Sequence, residues 1–288
     1  MSKKLTFADR MKGYEHAEAG RRLMPLTPVI ARLDGKGFSR FTASLERPFD
    51  RRLSELMIDM TIALVTETGA RVGYTQSDEL SLLWYSEDYQ RQIYHDGRIQ
   101  KMVSLLAARA SVWFNAALPE RIPEKAGRAP VFDCRVFPVP NKVEAANVLL
   151  WRERDATRNS LSMAARARYS HAQLHGKGHR EMHDMLMAKG VNWNDYPAFF
   201  KRGTYVQACT VSRPFSADEL ESLPPKHAAH QNPELVVERR VIDRLELPPI
   251  GRVRNRVDVL FDGASPILEA DARDELDDDD DDDEPRDA

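Results

Sequence analysis

The chain has 288 residues, a formal net charge of −3 and two cysteines, Cys134 and Cys209. This length allows one large hydrophobic core or two modest ones, and two cysteines exclude a fold held together by several disulfides. No run of about 18 apolar residues occurs, and the first residues lack the apolar stretch of a secretory signal, so we expect a cytoplasmic protein with no membrane partner.

The negative net charge comes from the end of the chain. Residues 271–288 hold 12 Asp or Glu and 2 Arg, a net charge of −10, which leaves residues 1–270 with +7. A basic body suits a polyanionic partner such as RNA, although solvated enzymes also carry charges of this size. We expect residues 266–288 to form a disordered acidic tail that either aids solubility or competes with RNA for the basic body.

Strands and helices are predicted in a definite order over the first 137 residues. Asp50 is a suitable N-cap for the first helix and Gly69 ends it, whereas Pro119 marks the end of the second. The predicted strands lie at 27–34, 71–75, 80–85 and 131–137, and the predicted helices at 50–69 and 98–117. The order β-α-β-β-α-β is the split βαβ pattern of a ferredoxin-like domain. We therefore expect an α+β protein whose residues 1–137 form a polymerase-like palm.

The rest of the chain predicts a helical region with a β hairpin, at residues 138–265. Its helices are predicted from Asn141 through Trp151, at 157–175 and at 180–189, and its strands at 204–211 and 235–242. The two strands are expected to pair across a connection of about 20 residues.

Three carboxylates are predicted to meet at the end of the palm sheet. Asp34 ends the first strand, and Asp78 and Glu79 occupy the turn of the hairpin that follows. Right-handed crossovers place the first strand beside that hairpin, so these acids could share two Mg²⁺ ions, with the Gly35 carbonyl as a further oxygen ligand. Two such ions can activate an attacking hydroxyl and neutralise a triphosphate. In the structural alternative, the same acids cap turns or pair with nearby arginines.

A glycine-containing loop follows the first strand and could contact phosphates. Gly35-Lys36-Gly37-Phe38-Ser39 offers backbone N–H groups and one ammonium, and Arg47 is a further candidate phosphate ligand. The G-x-x-x-x-G-K-[ST] spacing is absent, which argues against a P-loop NTPase.

Four histidines recur every four residues, at His171, His175, His179 and His183. On one unbroken helix this spacing would indicate a transition-metal site, but glycines interrupt it. We favour solvated or RNA-facing histidines over a zinc site.

Several motifs together resemble the tRNA-histidine guanylyltransferase family, over roughly residues 5–245. These are Arg32-Leu33-Asp34-Gly35-Lys36-Gly37-Phe38, Tyr74-Thr75-Gln76-Ser77-Asp78-Glu79, Phe132-Asp133-Cys134-Arg135, Trp151-Arg152-x-x-Asp155, Asn192-Trp193-Asn194 and Lys201-Arg202-Gly203-Thr204. The resemblance implies a palm enzyme that extends RNA in the 3'-to-5' direction, with ATP and GTP as substrates, tRNA as partner and a homotetramer as assembly.

The resemblance also implies roles for individual residues. Asp34, Asp78 and the Gly35 carbonyl would hold two Mg²⁺ ions, supported by Glu79. The expected nucleotide-binding residues are Lys36, Gly37, Phe38, Ser39, Arg47, Ser77 and Asp78. The expected RNA or triphosphate contacts are Arg158, Asn159, Lys177, Lys201 and Arg202.

Two departures place the chain in a branch of that family. Eukaryotic members have a histidine at the position of Ser39 and an H-I-N-N stretch where this chain has Thr157-Arg158-Asn159-Ser160. The chain resembles the bacterial and archaeal guanylyltransferase-like branch, which implies template-dependent repair of 5'-truncated tRNA as much as guanylate addition to histidine tRNA.

Two other functions remain open at this stage. A nucleotidyl cyclase uses the same palm and similar acids on GTP or ATP alone. A non-catalytic RNA-binding protein would retain the basic body and make no use of the acids.

Overall fold

A computed structural model describes residues 5–232 and 234–269. Its strands are β1 (Val29–Gly35), β2 (Val72–Gln76), β3 (Glu79–Trp84), β4 (Phe132–Pro138), β5 (Thr204–Pro214) and β6 (Val236–Leu245). They form one six-stranded sheet in the order β4-β1-β3-β2-β5-β6, with antiparallel pairing throughout.

Helices cover both faces of this sheet and link its strands. They are α1 (Phe7–Ala19), α2 (Phe38–Phe41), α3 (Arg51–Thr68), α4 (Ile99–Arg121), α5 (Lys142–Arg166), α6 (His171–Leu174), α7 (His179–Ala188), α8 (Ala198–Arg202), α9 (Ala217–Ser222), α10 (Ala228–Gln231) and α11 (Arg256–Asp262). Single 3₁₀ turns lie at Tyr94–Gly97, Pro123–Lys125, Trp193–Asp195 and Ile250–Arg252.

The two faces of the sheet bury separate cores. Side chains of β1 alternate, so Leu33 packs in one core with α3 and α4, whereas Ile30 packs in the other with α5 and α11. Asp34 lies four residues after Ile30 and therefore on the α5 face. The same alternation that builds the cores thus aims this carboxylate toward α5.

The predicted β-α-β-β-α-β order of the palm is confirmed, with boundaries shifted by one or two residues at most ends. The Asp50 carboxylate caps α3 by accepting from the Arg52 N–H, and Gly69 ends the helix with φ 66°. The predicted stop at Pro119 was wrong, because α4 continues to Arg121. A proline in the last turn removes only one backbone hydrogen bond, and Ile122 N–H still donates to Leu118 O.

The predicted break between two helices near residue 152 was also wrong. Residues 142–166 form one helix of 25 residues. The predicted segments were 141–151 and 157–175, and the residues between them include Arg152 and Glu153, which are 6% and 2% exposed. Arg152 pairs with Glu79, and Glu153 accepts from the Ile250 N–H over 2.8 Å, so both buried residues have partners and the helix continues through them.

The predicted hairpin forms, and it extends the palm sheet. β5 pairs with β6 over its full length and with β2 through Thr204 to Gln207. The regions expected at 1–137 and 138–265 therefore share one sheet. The connection between β5 and β6 carries α9 and α10, which the sequence did not predict.

The expected start of the acidic tail also needs correction. Residues 266–269, which were expected to be disordered, return beside residues 252–255, where Leu268 bridges to Val253 and the Glu269 N–H donates to Arg252 O. Residues 270–288 lie outside the described part of the chain. Within the described ranges, no helix is long and apolar enough to cross a membrane.

Gly203 provides a test of how α8 joins the sheet. Its backbone has φ 76° and ψ −167°, and a Cβ there would lie 2.5 Å from Thr75 O. Gly190 has φ 73°, but a Cβ there would meet nothing within 4 Å, so it is a matched control. We predict that Gly203→Ala lowers the free energy of unfolding by at least about 2 kcal/mol more than Gly190→Ala, measured by denaturant titration. Equal losses in the free energy of unfolding of the two variants would contradict the close approach of Gly203 to the Thr75 carbonyl.

Candidate active site

The end of β1 meets the β2–β3 turn, as the sequence predicted. Asp34 pairs in register with Glu79, and the Gly35 N–H donates to Asp78 O over 3.1 Å. The two-residue turn between β2 and β3 consists of Ser77 and Asp78, and Ser77 adopts a left-handed backbone with φ 50°. Two distant chain segments thus bring their acids to one end of the sheet.

Burial and a neighbouring carboxylate raise the pKa of both Asp34 and Asp78. Burial raises the pKa of Asp78, and the negative charge of Asp34 raises it further. Burial also raises the pKa of Asp34, as does Asp133 on β4, while nearby arginines act in the opposite direction. Burial and neighbouring carboxylates thus both disfavour the ionised acids, and a bound cation would favour them.

The loop after β1 is shaped by close packing on glycine. A Cβ on Gly35 would lie 2.3 Å from the Phe38 ring, so only glycine fits there. Phe38 is 3% exposed, and its ring contacts Phe41, Phe114 and Phe132 in the core. Phe38 is therefore chiefly a core residue that borders the site.

Glu79 is held by Arg152 of α5. Arg152 Nε donates to Glu79 Oε1 over 2.6 Å and its Nη2 donates to Oε2 over 2.8 Å. Arg152 Nη2 also donates to Asp155 Oδ2 over 2.8 Å. Burial alone would lower the pKa of Arg152, but the charges and hydrogen bonds of these two carboxylates raise it. Both carboxylate oxygens of Glu79 accept hydrogen bonds from Arg152, so Glu79 anchors the turn that carries Asp78.

A cleft of about 550 Å³ opens above these acids. Asp34 and residues 76–79 form the part of its lining that we call the acidic end, and the lining also includes an aromatic pair, Phe49 stacked on Phe200 at 4.6 Å between ring centroids. The cleft has the size expected for a small-molecule or nucleotide site, and most of its lining residues are polar or charged.

Some of the predicted binding residues line this cleft and others do not. Those that do are Asp34, Phe38, Ser39, Arg47, Ser77, Asp78, Glu79 and Asn159. Those outside its lining are Gly35, Lys36, Gly37, Arg158, Lys177, Lys201 and Arg202. Gly35 and Gly37 shape the loop beside it, where Gly37 has φ 71°. Lys36 is exposed beside Asp34, and its N–H donates to Val131 O.

Three of the basic side chains outside the cleft already have protein partners. Lys177 forms an ion pair with Glu181 at 2.7 Å, and Arg158 lies 3.7 Å from Asp155. Lys201 Nζ donates to Asn194 O over 2.5 Å. Arg202 contributes its carbonyl, which accepts from Tyr74 OH over 2.8 Å. Their expected contacts with RNA or triphosphate thus have no support from the cleft geometry.

One stripe of α5 faces the cleft, and sequence analysis named only Asn159 of it as a binding residue. The lining includes Arg152, Ala156, Asn159, Met163 and Arg166, which recur every three or four residues. This spacing places them on one face of a helix. Asn159, Met163 and Arg166 all lie within the predicted helix at 157–175, so their spacing was visible in the sequence, but nothing in the sequence placed the cleft beside them. Arg166, exposed at the far rim, is a cationic residue that no motif indicated.

The residues at the acidic end fit magnesium better than a transition metal. Within residues 5–232 and 234–269, no three His, Cys, Asp or Glu side chains are grouped to hold a metal, and this includes the histidines at 171–183. Mg²⁺ commonly binds through one or two carboxylates together with water and substrate phosphates. Asp34 and Asp78 with an open cleft above them match that donor set.

Burial and the nearby charge of Asp34 destabilise the ionised Asp78 carboxylate, so replacing Asp78 with a neutral residue should stabilise the protein. Folding raises the pKa of the Asp78 carboxyl group, so the folded protein loses stability as the pH rises from the unfolded-state pKa through the folded-state pKa. The destabilisation by the ionised carboxylate is therefore present at neutral pH. We predict that Asp78→Asn raises the melting temperature of the metal-free protein, by roughly 2–4 °C per kcal/mol relieved, in a thermal melt. Asp184→Asn, at an exposed position on α7, is the control and should change little. A lower melting temperature for Asp78→Asn would contradict this destabilisation.

Comparison with known proteins agrees with the fold and the motifs. The family model described as Thg1: tRNAHis guanylyltransferase matches residues 8–140. The tRNA(His) guanylyltransferase of Schizosaccharomyces pombe is 30% identical over 210 residues, which cover 67% of this chain and 77% of that protein.

Two solved structures are similar over most of the chain. A bacterial tRNA(His) guanylyltransferase (Thg1)-like protein in complex with ATP has a TM-score of 0.72 and 32% identity, and covers 89% of this chain and 99% of its own. A bacterial protein of the same description in complex with GTP has a TM-score of 0.67 and 28% identity, with the same coverage of 89% and 99%. This chain therefore belongs to the tRNA(His) guanylyltransferase family.

Proposed function

We propose that this protein adds nucleotides to the 5' end of tRNA in the 3'-to-5' direction. The observation that carries the proposal is the pair of coupled carboxylates, Asp34 and Asp78, at the base of a cleft of about 550 Å³. Relatives described as complexes with ATP and with GTP support nucleoside triphosphates as the ligands of this cleft.

The proposed reaction has two transfers that leave RNA one nucleotide longer. An oxygen of the tRNA 5'-monophosphate attacks the α-phosphorus of ATP, which forms a 5'-adenylylated end and releases pyrophosphate. The 3'-hydroxyl of an incoming GTP then attacks the activated 5' phosphorus, its proton is lost and AMP leaves. Both transfers are in-line displacements at phosphorus, and they need charge neutralisation and orientation more than covalent catalysis.

Asp34, Asp78 and the Gly35 carbonyl are the proposed ligands for two Mg²⁺ ions. When bound, magnesium supplies neutralisation of phosphate charge and a lower pKa for an attacking hydroxyl. The protein's own contribution is to fix the two carboxylates from separate chain segments, and Glu79 serves by fixing the turn. Because both oxygens of Glu79 bond to Arg152, we assign it a positioning role in place of a direct metal ligand.

The exposed side chains of the cleft are the proposed contacts for substrate. Arg47 and Arg166 lie at its rim and can neutralise triphosphate oxygens, while Ser39, Ser77 and Asn159 offer hydrogen bonds. Of the stretch that replaces the H-I-N-N motif, Asn159 and Ser160 line the cleft, but the Ser160 hydroxyl already donates to Thr157 O and accepts from Trp193 Nε1. Asn159 is thus the residue of this stretch most available to substrate, and we retain repair of 5'-truncated tRNA as the preferred activity.

We also propose, from the family resemblance alone, that the protein is a cytoplasmic homotetramer.

The direct test of this function is nucleotide transfer onto RNA. We predict that full-length protein with Mg²⁺, ATP and labelled GTP places the label at the 5' end of a tRNA that lacks its first nucleotide, and that Asp34→Ala and Asp78→Ala each reduce the rate by several orders of magnitude. Asp184→Ala is the control and should retain the rate. Release of a cyclic nucleotide without RNA would instead support the cyclase alternative, and unchanged activity in both acid variants would contradict the site.

The buried ion pair predicts a split between stability and activity. Arg152→Met leaves Glu79 charged and unpaired, and should lower the free energy of unfolding by about 3–5 kcal/mol. The double variant Glu79→Gln/Arg152→Met removes both charges and should recover most of that loss. Its transfer rate should nevertheless stay low, because the turn that carries Asp78 has lost its anchor. Full recovery of the transfer rate would show that the pair is only structural.

A further inference from the structure

Asp34 separates two different surfaces at the end of the sheet. In the strand order β4-β1-β3, the cleft lies on the β3 side of Asp34, where residues 76–79 line it. On the other side, β4 is the edge strand, and its residue in register with Asp34 is Asp133. Ligands can therefore reach Asp34 from two sides, and the proposed function uses the cleft side alone.

Three large side chains lie together on the β4 side. Arg32 and Arg135 are in register with each other on β1 and β4, two residues along the strands from the Asp34–Asp133 pair. Residues two apart on a strand, and residues in register on adjacent strands, point to the same face of a sheet. The Arg32 guanidinium also lies over the ring of Trp151 on α5, with Cζ 5.7 Å from the ring centroid. We call the surface formed by Arg32, Arg135 and Trp151 the β4-side platform.

The platform is open to solvent but its aromatic ring is held in place. Trp151 is 48% exposed, and the side chain of Arg135 is 57% exposed. None of the three platform residues lines the cleft. The Arg152 guanidinium lies 4.5 Å from the centroid of the Trp151 ring, and Arg152 is itself fixed by Glu79. The ring thus has fixed cationic neighbours, while much of its surface remains available to a ligand.

The two arginines of the platform are available to an anion placed beside Asp34. Burial and the charge of Asp133 raise the pKa of Asp34, whereas Arg135 and Arg32 lower it, so both guanidinium groups act on this carboxylate. Within the ranges that the structure describes, Arg32 forms no ion pair. Arg135 lies 3.9 Å from Asp133, and such a long, exposed ion pair contributes little. Neither guanidinium is therefore strongly committed to a protein carboxylate.

The proposed reaction brings two reactants to Asp34 from opposite sides. In the first transfer, the attacking oxygen of the RNA phosphate and the departing pyrophosphate lie in line, on opposite sides of the α-phosphorus of ATP. The triphosphate of ATP is assigned to the cleft, where Arg47 and Arg166 lie at the rim. The RNA phosphate must then approach from the side away from the cleft, which is the side of the platform.

We propose that Arg32, Arg135 and Trp151 form a site for the 5'-terminal nucleotide of the RNA, in which the two arginines bind its 5'-phosphate and the indole ring stacks on its base. This inference rests on the proposed function and goes beyond it, because it gives the reacting end of the RNA a site separate from the triphosphate cleft. A terminal phosphate monoester carries roughly two negative charges near neutral pH, which two guanidinium groups match.

The test compares the binding of two RNA hairpins to the full-length protein without ATP. The hairpins have the sequence of a tRNA acceptor stem and differ only in ending with a 5'-phosphate or a 5'-hydroxyl. We expect the protein to bind the phosphorylated hairpin about tenfold more tightly, and Arg32→Gln and Arg135→Gln each to reduce this preference to about threefold or less. Affinity for the hydroxyl hairpin should change little. Because the side chain of Arg135 is exposed, its replacement should leave the fold intact.

The aromatic part of the site has its own variants. Trp151→Ala should weaken binding of both hairpins by about tenfold and leave the preference for the phosphate in place, because the terminal base loses its stacking partner. Trp151→Phe should restore most of the affinity. The matched arginine control is Arg240→Gln, at an exposed position of β6, which should leave the preference unchanged. A preference that survives in both Arg32→Gln and Arg135→Gln, or that falls equally in Arg240→Gln, would overturn the inference.

A free second nucleotide offers the same chemistry, a base and a phosphate, and is distinguished by repeating the binding with GTP at saturating concentration. The preference for the phosphorylated hairpin should persist, because GTP is assigned to the cleft. Loss of the preference in the presence of GTP would show that the platform takes a free nucleotide, and would overturn the assignment to the RNA end.

Transfer kinetics separate this site from the proposed function. With Mg²⁺ and labelled ATP, Arg135→Gln should raise the KM for the phosphorylated hairpin by about tenfold while the KM for ATP stays unchanged. An equal rise in both KM values would contradict a site dedicated to the RNA end. A phosphate preference that depends on Arg32 and Arg135, in a protein that transfers no AMP, would refute the proposed function and leave the 5'-phosphate site in place.

Discussion

The structure depends on holding two carboxylates together that repel each other. Asp34 and Asp78 come from segments more than 40 residues apart, and burial and mutual charge raise the pKa of Asp78. A fold accepts such a cost where a bound cation compensates for it. The antiparallel pairing of β1 with β3 enforces the arrangement, because Asp34 and Glu79 occupy the same rung of the sheet.

The elements around the acids can be understood as supports for this arrangement. Gly35 lets the Phe38 ring pack against the loop after β1, and the two-residue turn brings Asp78 within a backbone hydrogen bond of Gly35. From the α5 face of the sheet, Arg152 binds Glu79 and thereby ties α5 to the same turn. The cleft then lies between α5 and the loops before α3, so one helix both fixes the acids and lines the site.

The sequence predicted the acidic end of the site because its signals are local. Alternating side chains marked β1, and the short connection between the next two predicted strands marked the hairpin whose turn carries Asp78. The Glu79–Arg152 pair could not be predicted from pattern, since it joins residues 73 positions apart. Sequence analysis also missed the continuity of α5 through the buried Arg152 and Glu153, and thus the connection of Arg152 to the face that carries Asn159 and Arg166. Hydrophobic periodicity fails where charges are satisfied by partners that are distant in sequence.

The most direct measurement is a crystal structure of the full-length chain with Mn²⁺ in place of Mg²⁺ and a non-hydrolysable ATP analogue, with the metal located by anomalous scattering. We predict metal in contact with carboxylate oxygens of both Asp34 and Asp78, at roughly 2.0–2.3 Å, beneath the triphosphate. Metal bound away from one or both of these carboxylates, or a triphosphate bound outside the cleft, would contradict the proposed site.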